Sequence, residues 1–497
     1  MTATDSSASD LHDFVVVSNR LPVDRVLSPD GSASWRPSPG GLVTALEPVM
    51  RARDGAWVGW SGQPDLDFEP FDADGIHVIP MRLSALDVEH YYEGFSNDTL
   101  WPLYHDVIAP PSYHREWWER YVDVNQRFAD ATAQVSATGA TVWVQDYQLQ
   151  LVPKMLREQR SDLTIGFFNH IPFPPYGIYS QLPWRTQIVE GLLGADVIGF
   201  QRLADANNFS RAVRRLKGYV TKNPIIEVPI VDESEGVRSH GPLGRTGKPF
   251  RRVVAKHFPI SIDAAAYEAL ARTPEVQARA RQIRADLGDP KTIMLGVDRL
   301  DYTKGIGHRL KAFGELLADA RISIEDATLV QIASPSRERV QTYMHLRDEI
   351  ELTVGRINGD YGTISHTAIS YHHHGYPREE MVALYLAADI MLVTALRDGM
   401  NLVAKEYVAT RFDEGGVLIL SEFAGAADEL KRALLINPHD IDGLKDTIVQ
   451  AIGMPRRDRA ARMRALRKRV IEHDVDKWST AFLAELSHGR RVHAKES

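Results

Sequence analysis

Two short strings in the second half of the chain combine cations, glycines and acids in a way that suits a nucleotide diphosphate. They are residues 299–305 (RLDYTKG) and 398–406 (DGMNLVAKE). Arg299 and Lys304 follow the apolar run 292–297, which has the composition of a strand, and ligands of open parallel sheets bind where strands end. Positioned cations stabilise the charge that develops on a departing diphosphate. The first string therefore predicts a diphosphate-binding loop, with a surface loop of solvated charges as the alternative.

The second string predicts a helix N-terminus directed at an anion. Asp398 and Gly399 follow the apolar run 390–393 and precede 402–408, a segment of good helix formers. Their backbone amides are therefore expected at the start of a helix, where anions bind. Glu406 is two helical turns beyond Gly399 on the same face. That position is too far along to touch the phosphate and suits a ribose hydroxyl; the alternative is a surface acid that pairs with a neighbour.

Two further residues follow predicted strands of the first half. Asp146 comes after the strand-like run 141–144, and His170 comes after 164–168. Both are therefore expected at the carboxyl ends of neighbouring strands, where active sites of such sheets collect. The alternatives are a helix N-cap for Asp146 and a packed, hydrogen-bonded histidine for His170.

A pair of glycines offers another phosphate contact. Gly40 and Gly41 precede the helical run 42–46, and adjacent glycines at a helix start let backbone amides approach a phosphate closely. The spacing is not that of a dinucleotide fingerprint, and an ordinary turn is the alternative.

The run His372, His373 and His374 raises the question of a metal site. Three consecutive residues of a strand point to alternating faces, so they are not expected to face one ion. Together with the lack of a carboxylate cluster near the diphosphate loop, this predicts no metal and no cofactor.

The order of apolar runs indicates two α/β domains. Short β-rich runs alternate with helical stretches, which is typical of parallel sheets with crossover helices, and the alternation restarts in the second half. We predict two doubly wound sheets, with strands at 14–17, 141–144, 164–168 and 197–200 in the first and at 292–297, 328–332, 390–393, 417–420 and 434–436 in the second.

The predicted domains are 1–258 and 259–477, followed by a C-terminal helix and tail, 478–497, that packs back on the first domain. Residues 1–12 are predicted to be disordered. The stretch 232–248 is rich in glycine, serine and charge and is predicted to be an exposed loop.

Composition excludes several classes of protein. The formal net charge of -8 argues against general nucleic-acid binding, and no apolar run approaches membrane-spanning length. The chain has 0 cysteines, hence no thiolate nucleophile or zinc-thiolate site. A polar N-terminus without a secretory pattern predicts a cytoplasmic protein.

The two strings, together with 15–20 (VVVSNR), 167–174 (FFNHIPFP) and 356–362 (RINGDYG), resemble the trehalose-6-phosphate synthases, retaining glycosyltransferases of family 20. The resemblance extends from about Phe14 to about Trp478. It implies a fold of the GT-B type, with two facing Rossmann-like domains and a cleft between them.

The resemblance also implies the roles of particular residues. The donor, a nucleoside diphosphate glucose, is expected to contact Gly40, Gly41, Arg299, Lys304, Tyr376, Asp398, Gly399, Met400, Asn401, Leu402 and Glu406. The acceptor, glucose 6-phosphate, is expected to contact Arg20, Tyr92, Trp101, Asp146 and Arg337. The catalytic group is expected to comprise Arg299, Lys304, Asp398 and His170. From the residues alone, Arg20 and Arg337 would pass as surface arginines and the two aromatic residues as core filling.

The implied reaction moves glucose to C1 of glucose 6-phosphate with retention and without a side-chain nucleophile, and gives α,α-trehalose 6-phosphate. Three alternatives remain open: a synthase for another phosphorylated acceptor such as glycerol 3-phosphate, a noncatalytic sugar-phosphate sensor, and a sugar-nucleotide epimerase. The predicted partners are small molecules and further copies of the chain, in a dimer or tetramer.

Overall fold

The computed structural model describes residues 11–27, 33–38, 43, 46, 49–51, 53, 55–230 and 250–496, with the backbone alone for 27, 33, 37 and 489–496. Gly40, Gly41, residues 1–10 and the predicted loop 232–248 lie outside the described residues. The chain divides into two compact units, one formed by Met1–Phe258 with Ser479–Ser497 and the other by Pro259–Trp478.

The strands of the first unit alternate with helices after a mixed N-terminal part. In chain order they are β1 (His12–Arg20), β2 (Val23–Leu27), β3 (Ala33–Pro37), β4 (Ala56–Trp60), β5 (Phe71–Ala73), β6 (Ile76–Met81), β7 (Ser136–Gln145), β8 (Thr164–Asn169), β9 (Val197–Phe200), β10 (Val220–Lys222), β11 (Ile225–Pro229) and β12 (Phe250–His257). The longer helices among them are Arg115–Val135, Val152–Gln159, Arg185–Leu192 and Leu203–Lys217. The shorter ones are Ala85–Asp87, the π-helix Val88–Leu100, Trp101–Tyr104, the 3₁₀ helix Tyr147–Leu149 and Tyr176–Tyr179.

Within the described part of the first unit, one sheet has the order β10-β11-β12-β9-β8-β7-β1-β4-β6-β5, and β2 pairs separately with β3. The strands from β12 to β6 in this order are parallel to their neighbours. From β1 the chain continues to β4 and β6 on one side and later to β7, β8 and β9 on the other. The switch point, where ligands of such sheets bind, therefore lies between β1 and β7.

The second unit has a regular doubly wound sheet. Its strands are β13 (Thr292–Arg299), β14 (Ala327–Ser334), β15 (Ile369–His372), β16 (Ile390–Val393), β17 (Val417–Ser421) and β18 (Leu434–Ile436). Their order is β15-β14-β13-β16-β17-β18, and all of these described neighbours are parallel. The strand order reverses between β13 and β16, which makes that pair the switch point.

The helices of the second unit cover both faces of this sheet, as a parallel sheet requires. They are Ala264–Ala271, Pro274–Asp286, Ile306–Ala318, Gln341–Tyr361, Arg378–Ala387, Leu402–Thr410, Ile441–Ile452 and Arg456–Glu472, with 3₁₀ turns at Tyr302–Lys304 and Gly425–Asp428. Leu310, Phe313 and Leu316 of one helix pack in the same buried cluster as Leu329 and Leu392 of the sheet.

The last helix, Val475–Glu496, belongs to the first unit from Ser479 onward. Phe482 is fully buried, and its ring stacks on Trp143 with centroids 4.6 Å apart. Lys256 Nζ lies 2.7 Å from Glu485 Oε2. Among the described helices, none is long and apolar enough to cross a membrane.

The nine predicted strands are confirmed, although several extend beyond the predicted ranges, and one of these differences affects a site residue. The first strand was expected to end at Val17, whereas β1 continues to Arg20. Its register against β4 shifts between Val17 and Arg20. The predicted end at Val17 therefore coincides with an irregularity inside the strand and not with its last residue. Arg20 is therefore fixed by pairing with Trp60 rather than placed on a loop.

Candidate active site

The two predicted strings meet at the switch point of the second unit. β13 ends at Arg299 and leads into the 3₁₀ turn Tyr302–Lys304, while Asp398 follows β16. Lys304 Nζ lies 2.6 Å from Asp398 Oδ2, and the two side chains are 11% and 14% exposed. A cation and a carboxylate therefore pair at the carboxyl ends of the two central strands. Ligands of doubly wound sheets bind at this position.

A glycine permits this close approach. Gly305 has φ 64°, and a Cβ at this position would collide with the carbonyl oxygen of Thr394. Helix Ile306–Ala318 begins immediately after it. The positive end of that helix dipole thus lies next to Lys304, which adds to the attraction for an anion.

Buried hydrogen bonds hold the strand ends in place. Arg309 is fully buried and donates to Asp298 Oδ2 at 2.8 Å, to Gln331 Oε1 at 2.6 Å and to Thr394 Oγ1 at 3.0 Å. These partners belong to β13, to β14 and to the segment after β16. One buried guanidinium therefore ties together the backbone that carries Arg299 and the backbone that leads to Asp398.

The predicted helix start at Leu402 is confirmed, but Asp398 and Gly399 do not lie in the N-terminal turn of that helix as expected. The helix is Leu402–Thr410, and Asn401, with φ 81°, is its N-cap and accepts from the Ala404 amide at 3.0 Å. The Asp398 amide instead donates to the carbonyl of Phe423 at 3.2 Å. The reason is local: a left-handed residue precedes the first helical turn, so Asp398 and Gly399 belong to a loop.

Glu406 lies on this helix, but Gly399 does not. The prediction that Glu406 and Gly399 share one helix face is therefore wrong. Glu406 Oε2 accepts from the Tyr385 hydroxyl at 2.8 Å. Burial raises the pKa of Glu406, against the opposing effect of hydrogen bonds from Tyr385 and Tyr267 and the charge of Arg378. The carboxylate is thus held by a neighbouring hydroxyl in a largely buried setting.

The histidine run is not a three-residue strand segment. β15 ends at His372, so His373 and His374 follow the strand. His372 Nδ1 lies 2.9 Å from the Tyr376 hydroxyl, and His373 Nδ1 lies 3.0 Å from the Ala333 carbonyl oxygen. Within the described residues, no group of three His, Cys, Asp or Glu side chains is placed to hold a metal ion.

Arg337 is buried rather than on the surface. Its side chain is 4% exposed, and its Nη1 lies 3.0 Å from Asp301 Oδ2. Nη1 also donates to the Tyr343 hydroxyl, and the guanidinium lies over the Tyr343 ring at 5.3 Å. Asp301 was not singled out in the sequence, although it is the third residue of RLDYTKG.

In the first unit, Asp146 directly follows β7 in a strained conformation. Its φ is 72° and its ψ 172°, a region that non-glycine residues occupy at a cost of about 1–3 kcal/mol. The Asp146 amide donates to Phe168 O at 2.7 Å, and its Oδ1 accepts from the His170 amide at 3.0 Å. The carboxylate therefore binds a backbone amide at the strand end. It does not cap the following helix, so the alternative interpretation of Asp146 as a side-chain N-cap is wrong.

His170 follows β8 and is held in one protonation state. Its Nε2 lies 2.9 Å from Gln145 Oε1, and its Nδ1 lies 3.4 Å from Gln201 Nε2. Burial lowers the pKa of His170 to about 3. The imidazole is therefore neutral near pH 7, with Nε2–H donating to Gln145 and Nδ1 accepting from Gln201. The two glutamines were not identified from the sequence.

Arg20 and Tyr92 come together around Trp60, another residue that the sequence analysis missed. The Arg20 guanidinium lies 5.5 Å from the Trp60 ring centroid, and the Tyr92 ring packs edge-on against Trp60 at 5.7 Å. Gly62, with φ 87°, leaves space that the Arg20 guanidinium occupies. The signal that could have identified Trp60 is a tryptophan at the end of a strand that neighbours β1.

Trp101 packs in the core, in agreement with the alternative from residue pattern. It is 4% exposed, and its ring lies 4.1 Å from His105 and 5.7 Å from Tyr147. Met400 is also buried, and its carbonyl accepts from the Ala426 amide at 2.8 Å.

The parallel doubly wound sheets of the two units give the chain the GT-B fold of solved trehalose-6-phosphate synthases, which it matches with TM-scores of 0.83 and 0.84. The profile of Glycosyltransferase family 20 matches residues 12–488. The chain belongs to this family, which confirms the resemblance stated from its motifs.

Individual relatives cover almost the whole chain. It is 57% identical over 492 residues to the trehalose-6-phosphate synthase of Mycolicibacterium gilvum (strain PYR-GCK), covering 98% of this chain and 96% of that one. A solved α,α-trehalose-phosphate synthase (UDP-forming) from Burkholderia xenovorans in complex with glucose-6-phosphate has a TM-score of 0.83, with 32% identity and coverage of 95% and 99%. A solved structure of the E. coli relative bound with UDP-2-fluoro glucose has a TM-score of 0.82, with 32% identity and coverage of 95% and 98%.

Proposed function

We propose that the chain transfers glucose from UDP-glucose to glucose 6-phosphate, with retention, and forms α,α-trehalose 6-phosphate. The observation that carries the proposal is the Lys304–Asp398 pair at the switch point of the second unit, in a chain of glycosyltransferase family 20. The substrates follow from relatives solved with UDP-2-fluoro glucose and with glucose-6-phosphate.

The second unit supplies the donor contacts in this proposal. Lys304 and Arg299 stabilise the negative charge of the departing diphosphate, which is the role that positioned cations perform in such reactions. Asp398 orients Lys304 and accepts from a hydroxyl of the donor glucose. Glu406 binds the ribose. Tyr376 and the segment 399–402 complete the donor contacts. Gly40 and Gly41, in the first unit, are assigned to the donor by the family resemblance.

The acceptor contacts are assigned in the same way. Arg20 and Arg337 bind the phosphate of glucose 6-phosphate, with Tyr92 and Trp101 near it, and Asp146 accepts from acceptor hydroxyls. The strained backbone of Asp146 supports its assignment, because such strain concentrates at functional sites.

Retention without a covalent intermediate follows from the residues assigned to the reacting centre. A double displacement needs a carboxylate at the face of the sugar opposite the leaving group. Here the neutral His170 is a hydrogen-bonding group for the donor glucose, and Asp146 belongs to the acceptor. The acceptor therefore attacks from the side of the leaving diphosphate, whose oxygen helps to remove the acceptor proton.

Three further properties complete the proposal. The diphosphate charge is assigned to Arg299 and Lys304, so the mechanism uses no metal ion or other cofactor. The protein acts in the cytoplasm. It works as a homo-oligomer, a dimer or tetramer.

Acceptor competition tests the proposal against its rivals. With UDP-glucose and equal concentrations of glucose 6-phosphate and glycerol 3-phosphate, mass spectrometry should find a disaccharide phosphate as the main product. A glucosylglycerol phosphate as main product would identify the other synthase. Binding without turnover would identify a sensor, and a changed sugar nucleotide in the absence of acceptor would identify an epimerase.

A further inference from the structure

The carboxylate of Asp301 connects two parts of the second unit that the proposed function assigns to different substrates. Asp301 is fully buried. Its Oδ1 accepts from the Thr303 amide at 2.9 Å and from Thr303 Oγ1 at 2.8 Å. Its Oδ2 accepts from Arg337 Nη1 at 3.0 Å and from the Tyr343 hydroxyl at 3.2 Å. One oxygen thus serves the loop that ends in Lys304, and the other serves Arg337.

The Thr303 contacts fix the loop from within. They make Asp301 the N-cap of the 3₁₀ turn Tyr302–Lys304, and the Lys304 amide donates back to the Asp301 carbonyl at 3.1 Å. Since Lys304 is the last residue of that turn, the direction of its side chain toward Asp398 depends on the turn being formed. Removing the cap frees the turn that positions the ammonium group.

The Arg337 contacts fix a buried cation. Arg337 lies in the loop between β14 and helix Gln341–Tyr361, with φ 50°, and its side chain is 4% exposed. A buried guanidinium needs an opposite charge, since an unpaired one is strongly destabilising. Asp301 supplies it, and the Tyr343 hydroxyl bridges the pair by accepting from Arg337 and donating to Asp301.

Asp301 is ionised under all ordinary conditions. Burial raises its pKa, but the charges of Arg337, Arg299 and Lys304 and the Thr303 amide outweigh this effect and bring the pKa down to about 2. Its charge is therefore a constant feature of the loop.

We propose that Asp301 is a positioning residue that sets both the donor-diphosphate lysine, Lys304, and the acceptor-phosphate arginine, Arg337, through the two oxygens of one carboxylate. This inference rests on the proposed function for the roles of Lys304 and Arg337. It assigns Asp301 no contact with either substrate. Its consequence is that one substitution affects acceptor binding and the chemical step by two separable routes.

The first test is Asp301→Asn, which keeps the size of the side chain and removes its charge. We expect the acceptor KM to rise about tenfold or more and kcat to fall about tenfold or more, because hydrogen bonds to charged groups are worth about 1.5–3 kcal/mol each. In an Arg337→Ala background, Asp301→Asn should add nothing to the acceptor KM but should still lower kcat. A purely structural role would lower the melting temperature without this split.

The matched control is Asp326→Asn. Asp326, like Asp301, forms an ion pair within the second unit, in this case with Lys291 at 2.6 Å, but its side chain is 43% exposed. The kinetic constants of Asp326→Asn should therefore stay at the wild-type values. If Asp301→Asn does not fold, Tyr343→Phe decides: loss of the bridging hydroxyl should raise the acceptor KM and leave kcat nearly unchanged.

The outcomes separate this inference from the proposed function. A folded Asp301→Asn protein with the wild-type acceptor KM would overturn the inference. If that variant does not fold, a Tyr343→Phe protein with the wild-type acceptor KM would overturn it. If the wild type prefers another phosphorylated acceptor, the proposed function fails, yet the same split measured with that acceptor would still support the role of Asp301.

Discussion

Replacing Lys304 with alanine is expected to lower kcat about a hundredfold or more, the usual loss when one positioned charge is removed from a developing anion. The effect should appear in kcat because the charge on the diphosphate grows as the glycosidic bond breaks, so the ammonium group binds the transition state better than the ground state. Arg299→Ala should act in the same direction. Steady-state kinetics at saturating donor and acceptor measure the effect.

Lys291→Ala is the matched control for Lys304. Lys291 is a lysine of the same unit whose side chain is 77% exposed and paired with Asp326, and its removal should leave kcat unchanged. The Lys304 variant also leaves Asp398 without its cation, so its melting temperature should be recorded. Near-normal turnover in both Lys304→Ala and Arg299→Ala would contradict the diphosphate assignment.

The second large effect is expected on acceptor binding when Arg20 is replaced with alanine. The KM for glucose 6-phosphate should rise about tenfold or more, with little change in the donor KM, because a charge-assisted phosphate contact made in both ground and transition states acts on binding. The Arg20 side chain is 46% exposed and pairs with Asp24 at 3.0 Å, so folding should be preserved. Initial rates over a range of glucose 6-phosphate concentrations measure the change.

Arg82→Ala is the control for Arg20, since Arg82 is an arginine of the first unit with a 57% exposed side chain. Arg337→Ala should raise the same acceptor KM, but it also leaves Asp301 buried without its cation. Breaking a buried pair costs about 3–5 kcal/mol, so this variant should lose stability as well. An unchanged acceptor KM in either arginine variant would remove that arginine from the phosphate site.

Much of the second unit could be predicted because its signals are local. Each buried parallel strand is an apolar run, and the residue after it lies at the ligand edge of the sheet whichever strands are its neighbours. That is why Lys304 and Asp398 could be assigned to one site although they are 94 residues apart. The helix from Leu402 was predicted, but the loop conformation of Asp398 and Gly399 was missed because the left-handed conformation of Asn401 leaves no strong mark in the residue types.

The supporting residues could not be predicted because their roles depend on pairing between distant segments. Asp301 is one acid among many until Arg337 is placed beside it, 36 residues along the chain. Trp60 gains its role only from the register of β4 beside β1. The burial of Arg337 likewise follows from packing that the local sequence does not specify.

The central claim is retaining transfer of glucose from UDP-glucose to glucose 6-phosphate, and NMR of the isolated product tests it most directly. The product should be a single disaccharide phosphate in which both anomeric carbons have the α configuration. A fluorinated donor should leave no sugar attached to the protein. A β linkage at the transferred glucose, or an Asp or Glu found glycosylated after trapping, would contradict retaining transfer without a covalent intermediate.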